Sequence, residues 1–173
     1  MNDFAIHAEP PLTAQAASAP LLYQGIKCGV HRIAISYSWA RTNVDRFELV
    51  PVPKAPIWLM GATVIEAQVL PVIDLALYID PTAERGVQLR DLRLLVGGRE
   101  DGDLTDPPIA FAFEGLPQQL RSGEQTQSAS VRQAPERIRA SADGVALSAQ
   151  GEQFDVINIQ RLASELAAEL SMF

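Results

Sequence analysis

The chain has 173 residues, enough for one domain or two small lobes with a buried core. Its formal net charge of -7, from 14 Lys and Arg against 21 Asp and Glu, argues against a nucleic-acid partner, which would require a basic surface. The single cysteine, Cys28, excludes an intramolecular disulfide, and no apolar run approaches the roughly 18 to 20 residues that span a bilayer. We therefore expect a cytoplasmic protein without direct membrane insertion, in which Cys28 is a buried thiol.

Two regions of different composition follow one another along the chain. Residues 1–20 are rich in Ala and Pro and lack hydrophobic periodicity, which predicts a disordered leader. From Leu21 onward, short apolar segments are interrupted roughly every eight to twelve residues by Gly, Pro, Asn or Asp, a pattern typical of an all-β barrel or sandwich. Residues 21–173 are therefore predicted to form a single, mainly β domain.

The first clearly patterned strand is HRIAISYSW, residues 31–39. Its large apolar side chains alternate with small or polar ones; they are Ile33, Ile35, Tyr37 and Trp39. A period of two places these four side chains on one face, which predicts a half-buried strand.

The next segment, FELVPVPKAPIW (47–58), contains three prolines. Because proline lacks a backbone N–H and has a fixed φ, a strand that ends near Val50 is expected to pass into an extended loop. Trp58, at the end of this loop, is predicted to anchor it in the core.

The stretch GATVIEAQVLPVIDLALYID (61–80) is mostly apolar but contains the acids Glu66 and Asp74. The run QVLPVIDL within it predicts a strand, and Pro71 favours an edge position or a bulge for that strand. A catalytic Asp74 would need a second carboxylate or a histidine beside it, and the neighbouring sequence supplies neither. Asp74 is therefore predicted to end the strand and to accept backbone N–H bonds in the following turn.

Further strands are predicted in the second half of the chain, at 89–98, 108–113, 145–150 and 154–159. The last two are joined by a hairpin turn at Gly151. The polar stretch 121–137 predicts a long loop.

The final segment, NIQRLASELAAEL, has the spacing of a short amphipathic helix. Its apolar residues recur at intervals of three and four residues: Ile159, Leu162, Leu166 and Leu170. Asn158 is the predicted N-cap. A single leucine stripe favours a helix that covers the open end of its own barrel over one that docks on a partner.

The sequence offers few groups for catalysis or metal binding. Of its two histidines, His7 lies in the leader and His31 on the polar side of a predicted strand, so a zinc site has too few ligands. DGDLT, from Asp101 to Thr105, has the spacing of the nucleophile loop in haloacid-dehalogenase-type phosphatases. A magnesium-dependent phosphatase using Asp101 and Asp103 is therefore an alternative, but GGRE precedes this loop where a buried strand is required. An acidic solvated loop is favoured, and we expect no catalytic residue, metal or cofactor.

The segment PKAPIWLMGATVIEAQVLPVIDL (53–75) resembles the CheW-like domain of bacterial chemotaxis coupling proteins. Residues at the matching positions of this pattern are Pro56, Gly61, Pro71, Asp74 and Leu75. Weaker similarity extends over residues 22–170. The resemblance implies two SH3-like five-stranded β-barrels with a short C-terminal helix.

The resemblance also implies a function, that of a non-enzymatic adaptor. It would couple chemoreceptors, through their cytoplasmic helical hairpin, to a histidine autokinase in chemotaxis or in the related control of twitching motility. The residues that the resemblance assigns to partner binding are Gly61, Val64, Ile65, Glu66, Ala40 and Thr42.

Between Gly61 and Pro71 the family usually carries Asn-Leu-Arg-Gly, and this chain has Val64-Ile65-Glu66-Ala67 there. The family usually has Arg at the position of Glu66 and Gly at the position of Ala67. Reversal of a charge would make an interaction with an acidic partner repulsive. Either the partner provides a basic group, or the chain is a divergent paralogue that has lost one interface.

Overall fold

The computed structural model describes residues 22–84, 88–98, 108–122 and 134–172. Strands predominate in these ranges, as the sequence predicts. They are β1 (Leu22–Cys28), β2 (His31–Ser36), β3 (Ala40–Val44), β4 (Leu59–Ile65), β5 (Gln68–Asp74), β6 (Leu92–Gly97), β7 (Ile109–Ser122), β8 (Ala142–Leu147) and β9 (Gln153–Ile157). The helices are α1 (Leu75–Ile79) and α2 (Ile159–Leu170), with short 3-10 helices at Leu89–Asp91 and Glu136–Ser141.

The long strand β7 belongs to two groups of paired strands. Its C-terminal part pairs with β1 and β8, and the pairings β1–β2, β2–β9 and β9–β8 close these five strands into a ring. Its N-terminal part pairs with β5 and β6, which pair in turn with β4 and β3. In the described part of the chain, β3 and β4 are not paired with each other, so the second group has a gap between them.

Each group of strands has a buried apolar cluster, and a larger cluster joins them. The first group buries Ala34, Leu120, Ala146, Phe154 and Val156. The second group buries Leu70, Val72, Leu92, Leu94, Val96, Ala110 and Ala112. The largest cluster combines side chains from both groups with residues of α1 and α2, including Ile33, Phe111, Tyr78 and Leu162. Since each fully buried aliphatic or aromatic side chain contributes about 1.5 to 3 kcal/mol, this shared cluster holds the two groups together.

The predicted strand at residues 31–39 is shorter in the structure. β2 ends at Ser36, and the N–H of Trp39 donates to the Ser36 carbonyl at 3.1 Å, which turns the chain. Trp39 is buried as predicted, but Tyr37 is 44% exposed, so the prediction that it shares the buried face is wrong. Ala34 is buried as well, because both faces of β2 are covered.

Trp39 fits its site because the facing strand has no side chain there. A Cβ added to Gly97 on β6 would collide with the Trp39 indole ring. With Gly97 in place, the indole packs against Phe111, with ring centroids 5.5 Å apart. The predicted anchor Trp58 is likewise buried, and its ring meets that of Tyr78 edge-on at 5.4 Å.

Of the two predicted settings for Pro71, the edge strand is wrong, because β5 lies inside the sheet, whereas the β4–β5 pair does contain a register shift, between Leu59 and Gly61. β5 runs between β4 and β7, and Pro71 faces Ala62 of β4. Ala62 exchanges both of its backbone hydrogen bonds with Val50, at 2.8 Å each, and therefore directs them away from β5. Pairing of β5 with β7 begins only at Val72. No hydrogen bond of the sheet therefore requires the N–H that Pro71 lacks.

The structural role predicted for Asp74 is confirmed. Its side chain is buried, and its Oδ1 accepts a hydrogen bond from the N–H of Leu77 at 3.1 Å. The segment that follows is the short helix α1 rather than a turn, and Asp74 is its N-cap.

Strand β7 extends well beyond the predicted 108–113. Gly115 and Pro117 have the appearance of strand breakers, but the strand continues past them to Ser122. Gly115 has a φ of +72°, and the register between β7 and β1 shifts at this level. A bend at Gly115 thus lets one strand serve both groups.

The C-terminal elements follow the prediction closely. β8 and β9 form a hairpin whose turn contains Gly151 at a φ of +81°. Asn158 caps α2 by accepting a hydrogen bond from the N–H of Arg161 at 3.2 Å. Leu162 and Leu166 are buried in the large cluster, so α2 packs on its own domain.

Two predictions fall on residues that the structure does not describe. They are the disordered leader at 1–20 and the acidic loop that contains Asp101 and Asp103. Most of the predicted loop at 121–137 also lies outside the described residues; 121–122 belong to β7, and a 3-10 helix begins at Glu136.

Candidate partner-binding surface

The β4–β5 hairpin ends in a two-residue turn with unusual backbone angles. Ile65 and Gln68 form its last facing pair, and between them Glu66 and Ala67 have φ values of +50° and +63°. Positive φ at both central residues is characteristic of a type I′ turn, which favours Asn followed by Gly. A residue with a Cβ costs roughly 1 to 2 kcal/mol in this region. Glu66 and Ala67 are therefore retained here at a cost in stability.

The Glu66 side chain forms an ion pair with Arg41 of β3. The Arg41 Nη2 lies 3.2 Å from the Glu66 Oε2, and the Arg41 Nη1 donates to the carbonyl of Gly98 at 3.2 Å. The Glu66 side chain is 61% exposed and that of Arg41 22%. An exposed pair of this kind contributes about 0.2 to 1 kcal/mol, less than the strain in the turn. The pair connects β3 with the end of β4 across the gap in the second group of strands.

This ion pair connects β3 and the end of β4, the two places where the predicted partner-binding residues other than Gly61 lie. Ala40 and Thr42 flank Arg41 on β3, where they face Gly97 and Val96 of β6, and both are partly buried. Arg41 itself was not among the predicted partner-binding residues. No local sequence pattern relates it to Glu66, because the two residues meet only through the packing of β3 beside the hairpin.

Val64 and Val69 form an exposed apolar pair near the tip of the hairpin. They face each other in the β4–β5 register, and they are 65% and 72% exposed. Ile65 points the other way and packs against the buried cluster of the second group. We refer to Val64, Val69 and Glu66 together as the hairpin surface.

The outer edge of β4 is unpaired at Val64 among the described residues. Ala62 directs its backbone N–H and C=O to Val50, away from β5. Because backbone directions repeat every second residue, Val64 directs its own N–H and C=O to the same side. No backbone group in the described part of the chain meets them there. The hairpin surface therefore adjoins a strand edge that offers one free donor and one free acceptor.

Gly61 has a backbone role that is evident from its surroundings. It is buried, its φ is +149°, and the register of β4 shifts between Leu59 and Gly61. Its predicted contact with a partner stays a prediction, because the structure shows only its contacts within the chain.

An open groove lies beside the proline-containing segment, with a volume of about 470 Å³. We call it the proline groove. Its lining residues are Pro51, Val52, Ala55, Pro56, Ile57, Leu59, Met60, Leu77 and Ala83. Ile57 is 61% exposed, so a bound apolar side chain could reach it directly.

The described residues contain little that suggests chemistry. In these ranges no three His, Cys, Asp or Glu side chains are grouped to hold a metal ion. Cys28 is buried, as predicted, and this burial, together with Asp74 and Glu114, raises the pKa of its thiol far above the ordinary value. Burial lowers the pKa of His31, against the opposing effect of Asp155 and Asp80. Neither helix among the described residues has the length and hydropathy needed to cross a membrane.

Comparison with known proteins gives one clear result. Neither a family model nor a curated protein matches the sequence. Among solved structures, the chain is similar to the scaffolding protein TtCheW from Thermoanaerobacter tengcongensis, with a TM-score of 0.62 and 14% sequence identity. The match covers 80% of this chain and 89% of that one. The likeness predicted from the pattern at 53–75 is thereby confirmed, and this chain has the fold of a CheW-like domain.

Proposed function

We propose that this chain is a non-enzymatic adaptor that couples chemoreceptors to a histidine autokinase in bacterial chemosensory signalling. The observation that carries this proposal is the shared fold with a scaffolding protein over 80% of the chain. The sequence pattern at 53–75 supports it independently. The pathway served would be chemotaxis or twitching motility, and the protein would act in the cytoplasm.

The proposal includes an architecture of two SH3-like five-stranded barrels. Its support is the arrangement of pairings, in which one ring and one group with a gap share β7. The separate apolar cluster of each group also supports it. The shared strand and the large joint cluster would fix the orientation of the two lobes.

We assign the two partners to two surfaces. The kinase regulatory domain would bind the hairpin surface, where an open strand edge and the pair Val64–Val69 are available. The receptor's cytoplasmic helical hairpin would insert apolar side chains into the proline groove. Both surfaces offer the apolar anchors that contribute most of the binding energy in such interfaces.

Isothermal titration calorimetry with two purified probes tests the proposal. The probes are the regulatory domain of the histidine autokinase and a cytoplasmic hairpin fragment of a chemoreceptor, both from the same organism. We expect dissociation constants of about 10 μM or lower for each. The double variant Val64→Thr/Val69→Thr should weaken kinase binding about tenfold, and Ile57→Ser should weaken receptor binding about tenfold.

Leu116→Ser provides a matched control, because Leu116 is 74% exposed but lies on neither surface. It should leave both affinities within twofold of the original chain. If the chain binds neither probe, the adaptor function is refuted. Binding of one probe alone would identify a divergent paralogue that has lost one interface.

A further inference from the structure

The hairpin surface combines a charge with two features that favour an extended ligand. Val64 and Val69 are exposed side by side, and the N–H and C=O of Val64 face outward along the strand edge. A partner strand laid along this edge would receive both hydrogen bonds and cover the valine pair. Glu66 lies two residues beyond Val64, at the end of the same edge.

The charge that this surface presents is negative. Arg41 is mostly covered, and its guanidinium is directed to Glu66 and to the carbonyl of Gly98. Glu66 has only one of its carboxylate oxygens at 3.2 Å from Arg41 and keeps 61% of its side chain exposed. A second cation can therefore approach the carboxylate from solvent, whereas an acidic group would be repelled.

The hairpin turn is strained at both of its central residues, Glu66 and Ala67. A φ of +50° disfavours any residue with a Cβ, and the exposed ion pair with Arg41 does not offset this strain. Strained backbone that local contacts do not offset occurs mainly at functional sites, including sites that bind ligands.

We propose that the hairpin surface binds an extended segment of the kinase, which adds a strand to the edge of β4. This inference rests on the proposed adaptor function. This segment places an apolar side chain over Val64 and Val69 and a Lys or Arg beside Glu66. The basic residue makes Glu66 a determinant of partner specificity, because a kinase with an acidic group at that position is excluded.

The test titrates the same kinase regulatory domain into charge variants of the chain. Glu66→Gln should weaken binding about fivefold and reduce its dependence on salt, because the lost interaction is between charges. Glu66→Arg should weaken binding about thirtyfold or more, because it places the new arginine beside the Lys or Arg of the kinase segment. Glu152→Gln is the matched control, since Glu152 forms a comparable exposed pair with Arg32 at 3.4 Å. Its affinity should stay within twofold of the original chain.

Amide exchange measured by NMR reports strand addition without any substitution. The N–H of Val64 should become protected in the complex, while that of the exposed Val30 on the β1–β2 turn should not. Replacement of the kinase's facing Lys or Arg by Glu should restore binding to Glu66→Arg. Thermal melting of each variant verifies that it is folded.

Two failures are distinguishable. If the unmodified chain does not bind the kinase domain, the kinase-binding part of the proposed function is refuted, and the inference with it. If the chain binds but Glu66→Arg retains its affinity within twofold, or the Val64 amide stays unprotected, the function stands and the inference is overturned.

Discussion

The α-carbon of Gly61 lies against the backbone carbonyl of Val50. A Cβ built on Gly61 would be 2.6 Å from that oxygen and 3.2 Å from the carbonyl carbon. The same contact region contains the two 2.8 Å hydrogen bonds between Val50 and Ala62. The absent side chain of Gly61 thus allows the proline-containing segment to lie on the edge of β4 and to form one wall of the proline groove.

Gly61→Ala should lower the free energy of unfolding by about 2 to 4 kcal/mol, because it adds a clash with backbone to an unfavourable φ. Gly115→Ala is the control, since Gly115 also has a positive φ but nothing within 4 Å of the added Cβ. It should cost about 1 kcal/mol. Urea denaturation measures both, and equal losses would show that the Val50 contact contributes nothing.

Ala67→Gly should raise the free energy of unfolding by about 0.5 to 1 kcal/mol. At a φ of +63°, Gly removes the strain caused by the Cβ of Ala67. This gain in free energy exceeds the cost of the additional conformational entropy that Gly loses on folding. Ala62→Gly, in the middle of β4, should instead destabilise the chain by a similar amount. A loss of stability in both variants would contradict the turn geometry described for the hairpin.

The end of α2 is held to the rest of the domain by contacts among three side chains, those of Arg137, Glu169 and Tyr78. The Arg137 Nη2 lies 2.6 Å from the Glu169 Oε2, its Cζ lies 4.4 Å from the centre of the Tyr78 ring, and the Tyr78 hydroxyl donates to Glu169 at 3.3 Å. Arg137→Ala should cost about 2 kcal/mol, because it removes both the ion pair and the ring contact.

Arg139→Ala is the matched control for this cluster, because Arg139 lies in the same 3-10 helix but is exposed. It should change stability by less than about 0.5 kcal/mol. Thermal melting followed by circular dichroism compares the two, and equal melting temperatures would mean that the cluster does not hold α2.

Asp155→Asn should stabilise the chain at neutral pH but not at acid pH. Burial raises the pKa of Asp155 above its ordinary value, although His31 acts in the opposite direction. A carboxyl with a raised folded pKa favours the folded state while protonated, and this contribution is lost as pH rises through that pKa. The ionised form at pH 7 therefore opposes folding, and Asn removes this cost.

Melting temperatures at pH 7 and pH 3 provide the measurement. The difference between Asp155→Asn and the original chain should be positive at pH 7 and should shrink towards zero at pH 3. The exposed Asp143 of β8, which pairs with Arg161 at 3.4 Å, provides the control through Asp143→Asn, which should bring no gain at pH 7. A lower melting temperature of Asp155→Asn at pH 7 would show instead that attraction to His31 exceeds the effect of burial.

Several features of the fold were predictable because they depend on short stretches of sequence. The cap at Asn158 and the leucine spacing of α2 lie within one helical segment, and the structural role of Asp74 lies within one strand end. Trp58 was predictable as an anchor because so large an apolar side chain after a proline-containing loop has few alternatives to burial.

Other features depend on residues that are distant in sequence. Pro71 is tolerated inside the sheet because Val50 takes the hydrogen bonds of Ala62, and neither partner is evident from the pattern QVLPVIDL. The length of β7 depends on β1 and β8, which pair with it beyond the apparent breakers Gly115 and Pro117.

The candidate site divides along the same line. The sequence by itself determined the mainly β fold class, the strand at QVLPVIDL that ends in Asp74 and the likeness to the CheW-like domain, because strand periodicity and a compact motif are local properties. Only the tertiary structure decided that Glu66 pairs with Arg41, that Val64 faces an open edge and that Gly61 underlies Val50. Each of these contacts depends on how separate strands pack and pair, and period and composition do not determine that register.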